Sequence, residues 1–376
     1  MCRLKYGAQI EKFREQGKRQ YLILFNHQTA FDQFFVSAAF KGAVYYLASE
    51  DILSNGFVSK LISFLAAPIP IKKQTGDFSA VLNCLRVARE GGTLAMAPEG
   101  QRTYSGKTAF IHPTVVPFVR KLRLPVVLFR IEGGYGVQPR WSDAVRRGKM
   151  RAYVSKVLEP EEYENYDDKR LYEELCAGLF QDENCLSGRF EGKKLAEHLE
   201  RTIYVCPTCG FSHFTSRKDL IACESCGKGA RLLPTKELEG VDQTLPFRFV
   251  GDWYAYEERY LLDADLSAYT EKPLFVDEAE VRRVVLYQRK ERLTKKARVC
   301  LYADRVTVQS DNFDAEFSFS AIGALTVLGK NKLNIYQKEN VFQIVGETFN
   351  ALKYVHVYNK YKNEETGEKH GEFLGL

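Results

Sequence analysis

Tyr21-Leu22-Ile23-Leu24-Phe25 is a short apolar run that reads as a strand, and it passes without a break into Asn26-His27-Gln28-Thr29-Ala30-Phe31-Asp32. Phe31 to Phe40 then has the texture of an apolar helix. The layout recurs at Thr93 to Ala97, a second strand that meets Pro98-Glu99-Gly100-Gln101-Arg102. Two strands that each run into a polar turn bearing ionisable groups constrain the fold: open α/β sheets place their ligand sites at the carboxyl ends of such strands.

The rest of the first half fits that layer. Val44 to Ala48 reads as a strand, and Asp77 offers an N-cap to a helix with Phe78, Val81, Leu82, Leu85 and Ala88 on one face. Gly91-Gly92 ends it. Phe110 to Lys121 has helical spacing, and Leu124 to Ile131, with Pro125, is a strand. Alternation of this kind predicts an α/β domain with a mostly parallel sheet. Glu161 to Arg201 is charged and helical, as a connecting helix would be.

With 376 residues the chain exceeds what one core usually supports, so two or three domains are expected. The texture changes after about Asp242. Asp252 suits the cap of an aromatic-rich helix through Leu262, and a train of β-patterned runs follows: Val281–Tyr287, Ala297–Tyr302, Arg305–Gln309, Ala315–Ser320, Ala324–Leu328, Lys332–Tyr336 and Val341–Val345. A helix from Phe349 to about Tyr361 closes the series, and the tail after Lys362 is polar.

A catalytic reading of the first turn rests on neutral imidazole, the usual base for taking a hydroxyl proton as the oxygen attacks an acyl carbonyl. Asp32, five residues after His27, suits the carboxylate that fixes the ring's tautomer. The bland alternative is a capped helix start with Asp32 as an ordinary first-turn acid. In the second turn Arg102 offers a planar fork suited to a phosphate monoester, Gly100 allows close backbone approach, and Glu99 suits a substrate hydroxyl or Arg102 itself. Lys72 and Lys73 are further phosphate candidates. The alternative for all of these is a solvated surface.

Taken in order, these blocks resemble the glycerolipid acyltransferases of the lysophosphatidate acyltransferase type. The resemblance covers residues from about 15 to 135: an Asn-His-x4-Asp block, a Pro-Glu-Gly-x-Arg block some 66 residues on, then Leu124-Pro125-Val126-Val127. It implies His27 as general base, Asp32 as its partner, and Glu99, Gly100 and Arg102 as acceptor-binding residues. It implies acyl-CoA or acyl carrier protein as donor, a lysophospholipid acceptor, and no other organic cofactor. Three departures bear on the acceptor: Ala97 stands where the family has Phe, Gln101 where it has Thr, and Lys72 or Lys73 where it has Arg. The family's leading apolar helices have no counterpart here, so membrane attachment is expected from elsewhere.

Cys206-Pro207-Thr208-Cys209, thirteen residues, then Cys223-Glu224-Ser225-Cys226 is the spacing of a four-thiolate structural site for zinc, or iron in its place. Gly210 and Gly227 suit the knuckle turns. His213 is not needed as a ligand. The other five of nine cysteines are scattered, as befits a reducing compartment. Arg217-Lys218 give thin support for nucleic acid, which is not expected as a partner. The C-terminal strands resemble, by pattern alone, a pleckstrin-homology-like or GRAM-type module. Its basic clusters Arg282-Arg283, Arg289-Lys290, Lys295-Lys296 and Lys330-Asn331-Lys332 suit either lipid headgroups or a charged sheet edge.

No run reaches the roughly 18 apolar residues of a membrane span. The longest, Leu61 to Ile71, is broken by Pro68 and Pro70, and no signal-peptide layout is present. The net charge of +6 fits phosphate-bearing partners or a mildly basic surface. The expectation is therefore a cytoplasmic protein, peripheral on the inner face of the membrane. Residues 1–195 would form the acyltransferase domain, 200–235 the zinc ribbon and 243–365 the β-rich module. The competing expectations are transfer to another alcohol or an amine, and a non-catalytic lipid- or protein-binding adaptor.

Overall fold

In the computed structural model of the chain, residues 7–14, 19–49, 68–71, 78–242, 244–285 and 290–367 are described. The first sheet and its helices run β1 (Ala8–Ile10), β2 (Leu22–Phe25), α1 (Asp32–Ala39), β3 (Val44–Ser49), β4 (Ile69–Ile71), α2 (Phe78–Arg89), β5 (Thr93–Met96), α3 (Val115–Leu122), β6 (Val126–Glu132), α4 (Gly134–Val137), β7 (Met150–Leu158), α5 (Pro160–Tyr163) and α6 (Asp168–Leu179). In space the strands lie in the order β1-β7-β6-β2-β5-β3-β4. Strands β6, β2, β5, β3 and β4 are parallel, whereas β7 is antiparallel to β6 and carries β1 beside it in its own direction.

All four residues of β2 are buried, as a central strand covered on both faces requires. Leu22 and Leu24 face a core with Cys84 of α2, Val119 of α3 and Leu171 of α6; Ile23 and Phe25 face one with Phe35 and Val36 of α1. Truncating a side chain such as Leu24 to Ala would cost about 2–5 kcal/mol. Leu24 is in register with Met96 of β5, so the two strands end side by side and their turns emerge together.

The chain continues through β8 (Val205–Cys206), β9 (Gly210–Phe211), β10 (Phe214–Arg217), β11 (Leu220–Cys223), β12 (Gly229–Leu232), β13 (Leu238–Val241) and α7 (Val250–Asp263). Strands β8 and β9 make a two-stranded knuckle, and β10 to β13 a four-stranded antiparallel sheet that reaches past residue 235 to Val241. Then follow β14 (Phe275–Val284), β15 (Glu291–Leu301), β16 (Arg305–Gln309), β17 (Ala315–Ser318), β18 (Ala324–Leu328), β19 (Lys332–Gln337), β20 (Asn340–Val345) and α8 (Ala351–Thr366). These seven strands form one antiparallel sheet, ordered β17-β16-β15-β14-β20-β19-β18. Tyr354, Val355 and Tyr358 of α8 fill its core.

The three parts share their interiors. Tyr104, from the loop after β5, is buried with the core of the C-terminal sheet, and its ring stacks on Tyr254 of α7 at 6.3 Å. Tyr135 and Trp141 pack with Cys206, Phe214 and Cys223 of the ribbon.

Two helices differ from expectation. The one expected from Phe110 begins at Val115, because Pro113 pushes the residue before it out of helical geometry. The connecting helix expected over 161–201 is instead α5, α6 and a single turn at Leu199–Arg201. Between them the chain bridges to Lys107 and Arg147 and buries Phe190, which Gly136 and Gly148 accommodate. Helix α7 starts two residues before Asp252, whose carboxylate caps it by accepting the N–H of Phe249 at 2.8 Å. Lys72, Lys73, Asp77 and Arg289 lie outside the described residues.

Candidate active site and a four-cysteine cluster

Helix α1 begins at Asp32, and the carboxylate of that residue is wholly buried. It accepts hydrogen bonds from the backbone N–H of Gln28 at 2.7 Å and of Thr29 at 3.0 Å, and from the Thr29 hydroxyl at 2.7 Å. Its Oδ2 also lies 2.8 Å from Nδ1 of His27. An ordinary first-turn acid faces solvent; this one folds the turn around itself and holds the ring. The His27 side chain remains 26% exposed, so the imidazole is anchored at Nδ1 and still meets solvent. Asn26 fixes the turn to its neighbour strand, donating to the carbonyl of Ile131 at 2.8 Å and accepting its N–H at 2.7 Å. Gln28 accepts the N–H of Tyr135 at 3.0 Å, an approach that a side chain at Gly134 would block.

The second turn is built onto the first. Gly100 takes a positive φ of 67°, which favours glycine. Glu99 is buried, with Oε1 on the N–H of His27 and Oε2 on the N–H of Ala109, both at 2.6 Å. Burial pushes its carboxyl up to about 8 against the restraining effect of those two N–H groups, and the nearby Asp32 adds to the rise. Thr103 donates its N–H to the carbonyl of His27 at 3.1 Å. Arg102 is only 8% exposed, and its Nη1 is buried with no hydrogen-bond partner. Burial, then the neighbouring Arg140 guanidinium, draws Arg102 down to about 10. Among the described residues Glu99 and Arg102 form no ion pair. Gln101, also buried, has an Nε2 without a partner.

The site therefore brings together His27, Asp32, Glu99, Gly100 and Arg102, as their sequence order predicts. It places Glu99 on two backbone N–H groups, where the sequence reading had given it to substrate or to Arg102. Asn26 was visible in sequence only as part of a block; the bracing roles of Gln28 and Thr103 were not read there. Arg140 was missed entirely, for it lies on a loop with no motif around it.

The four cysteines of the ribbon converge. Their sulfurs all lie within 4.8 Å of one another, with Cys206 to Cys226 at 3.7 Å and Cys209 to Cys223 at 3.5 Å. Those separations are far beyond a disulfide's roughly 2.05 Å. They match the edges, about 3.8 Å, of a tetrahedron with metal–sulfur bonds of about 2.3 Å. Gly210 and Gly227 occupy the knuckles at φ of 77° and 74°. The cluster has the donors and spacing to bind a metal ion. His213 lies against Phe275 and Asp277.

On the C-terminal sheet the basic groups are largely paired, Arg282 with Glu280 along β14, and across to β15 Arg292 with Glu280, Arg283 with Glu291 and Lys296 with Glu278. Lys330 reaches Asp143 of the first domain at 2.7 Å. Among the described residues no helix is long and apolar enough to cross a membrane.

The family model described as Acyltransferase matches residues 8–132, a span that holds both turns and six of the seven strands of the first sheet. No curated protein matches the sequence. Among solved structures, the chain is similar to the 1-acyl-sn-glycerophosphate (LPA) acyltransferase PlsC of Thermotoga maritima, at 17% identity and a TM-score of 0.38, over 45% of this chain and 68% of that one. It is also similar to the N-terminal PH domain of human ARAP2, at 13% identity and a TM-score of 0.21, over 28% of this chain and 88% of that one. Both likenesses are partial, and the family model matches about a third of the chain.

Proposed function

We propose that this chain, whose residues 8–132 belong to the Acyltransferase family, moves a fatty acyl group from acyl-CoA or acyl carrier protein to the hydroxyl of a lysophosphatidate-like acceptor. One observation carries the reading. A histidine held by a buried carboxylate at 2.8 Å sits on one strand's turn, and the turn of the strand beside it carries Arg102, whose buried Nη1 has no hydrogen-bond partner.

The chemistry follows from that pair. With Nδ1 bonded to Asp32, Nε2 of His27 takes the acceptor's hydroxyl proton as the oxygen attacks the thioester carbonyl. The tetrahedral intermediate collapses, the C–S bond breaks, and the imidazolium returns the proton to the departing thiolate sulfur. An ester forms and a free thiol leaves. No enzyme nucleophile is needed, because the thioester is already activated. Arg102 supplies the charge that holds the acceptor's phosphate. Glu99 acts one step back: it fixes the His27 backbone and so the ring.

Because acceptor and product are lipids, this reading puts the enzyme in the cytoplasm, peripheral on a membrane surface. Exposed Phe34, on the helix that Asp32 opens, and Phe110, next to Ala109, offer apolar contact there. The four cysteines are read as a structural zinc site that cross-links the ribbon. A second reading, transfer to another alcohol or an amine, draws on Gln101, whose buried Nε2 gives an acceptor one more donor to satisfy.

Purified protein supplied with acyl-CoA and a panel of lysophospholipids and other acceptors, read by mass spectrometry, tests this. Acylation of a phosphate-bearing lysolipid is expected, lost by a factor on the order of 10²–10⁴ in His27→Ala. Turnover that survives His27→Ala undiminished sinks the mechanism.

A further inference from the structure

The cation assigned to the acceptor is held in place through a side chain that also grips the C-terminal sheet. Arg140 follows α4, is 3% exposed, and commits its nitrogens to main-chain carbonyls from two distant parts of the chain. Nη1 donates to the carbonyl of Arg102 at 2.8 Å, Nε to that of Gly329 at 2.9 Å, and Nη2 reaches Val327 at 3.4 Å. Its Cζ sits 4.1 Å from the centroid of the Tyr104 ring, a cation–π contact two residues beyond Arg102. Val327 lies in β18 and Gly329, at φ of 60°, in the turn to β19.

This arrangement has an electrostatic oddity. Two guanidiniums that repel each other are both buried, and among the described residues neither forms an ion pair with a carboxylate, although the charge of Asp32 favours Arg102. Burying an unpaired charge is costly, and carbonyl dipoles offset it only in part. Arg140 spends its donors on those dipoles, so it is a strut. Arg102 keeps Nη1 without a partner, so it is the member of the pair left to take an anion. Because Arg140 grips the carbonyl of Arg102, it fixes the backbone from which the Arg102 side chain departs. The other end of the strut is anchored in the C-terminal sheet, which Lys330 to Asp143 at 2.7 Å and Arg201 to the carbonyl of Glu347 at 2.7 Å clamp in place.

We propose that Arg140 is a positioning residue for the anion site, and that through it the β18–β19 turn makes the C-terminal sheet a working part of the catalytic unit. The inference rests on the reading of Arg102 as the partner of the acceptor's phosphate. The sheet therefore serves the reaction by shaping the site, independently of any lipid it contacts.

Full-length Arg140→Met, Arg140→Lys, Arg102→Ala and Lys296→Ala decide this with two readouts. The first is kinetic: KM for the phosphate-bearing acceptor should rise about tenfold or more in Arg140→Met, with KM for the acyl donor and kcat nearly held. Arg140→Lys, which keeps the charge and one carbonyl contact, should fall between. Lys296→Ala breaks an exposed pair with Glu278 on the same sheet, away from the strut and its turn, and should leave acceptor KM unchanged. The second is binding of inorganic phosphate, followed as a phosphate-dependent rise in Tm. It should be present in the wild type and Lys296→Ala, and absent from Arg102→Ala and Arg140→Met. If the wild type turns over no acyl donor, the acyl-transfer reading fails while the phosphate arm still decides the positioning role. A full-size phosphate shift in Arg140→Met overturns the proposal. So does a wild type without that shift, or Lys296→Ala matching Arg140→Met. Should Arg140→Met fail to fold, Arg140→Lys with wild-type acceptor KM and phosphate shift overturns it equally.

Discussion

The Oε1 atom of Glu99 accepts the backbone N–H of His27 at 2.6 Å, so one carboxylate joins two turns that lie 72 residues apart in the chain. Its other oxygen holds Ala109. The His27 ring is thus fixed twice, by Asp32 through Nδ1 and by Glu99 through its own backbone. The two acids of the site are orienting groups with different targets.

Glu99 ties stability to pH. Its folded-state carboxyl is pushed up to about 8, mainly by burial, above the ordinary carboxyl range of the unfolded chain. Through that interval the folded protein holds a proton that the unfolded chain has released. Its contribution is therefore complete below the unfolded value and disappears as pH rises through about 8. Glu99→Gln cannot titrate, and its amide turns an N–H toward one of the two donors, costing about 1–3 kcal/mol at low pH. Denaturant unfolding from about pH 5 to about pH 9 should show the wild type's advantage shrinking with pH. A constant offset would refute this origin.

Asp32→Asn separates orientation from charge. The carboxylate accepts from His27 Nδ1, two backbone N–H groups and a hydroxyl, and an amide oxygen cannot serve them all. The amide nitrogen would face a donor or favour the wrong imidazole tautomer. A fall in kcat on the order of 10³–10⁴ is expected with the fold intact, at a stability cost of about 1–3 kcal/mol. Steady-state kinetics beside circular dichroism would check it; near-wild-type kcat would remove Asp32 from the mechanism.

How much of this was legible follows from the range of each interaction. Leu22–Phe25 and Thr93–Met96 were readable as strands because a wholly apolar run of that length has few other uses, and the strand ends then located the site. Arg305–Gln309 and Ala324–Leu328 matched to the residue. Strand β7 was not read, because its exposed and half-buried residues break the apolar pattern. Segment 180–198 looked helical by charge, yet it is spent on packing Phe190 and bridging Lys107 and Arg147. The use of Glu99 was illegible for the same reason: its partners are backbone N–H groups, which carry no residue identity. Arg140 could not be found, since what defines it is the carbonyls of Arg102 and Gly329, 38 residues one way and 189 the other.

Arg102 should show a conflict between stability and function. Its guanidinium is buried beside that of Arg140 with Nη1 unpartnered, a cost the folded protein carries until an anion arrives. Arg102→Met keeps the bulk and removes the charge, so unfolding free energy should rise by about 1–3 kcal/mol in the absence of anion. Acceptor KM should rise sharply in the same variant, with donor KM held. Chemical denaturation and kinetics on one preparation test both. A variant that is both less stable and fully active would show Arg102 to be an ordinary packing residue.

Removal of metal should be felt well beyond the ribbon. The buried Cys206 and Cys223 belong to the core cluster that contains Phe214, Tyr135, Trp141 and Trp253. Those are the chain's only two tryptophans, and each is 1% exposed. A structural metal contributes its binding free energy to folding, so the protein as purified should contain about one zinc or iron per chain. Chelation, or Cys226→Ser at an exposed ligand, should lower Tm and admit water to this cluster. Because no tryptophan lies elsewhere, the red shift of intrinsic emission reports that one region. Trp141 lies in the loop that carries Arg140, so acylation should decline as the emission shifts. Metal lost with emission and turnover unchanged would show the ribbon to be energetically separate from the rest of the chain.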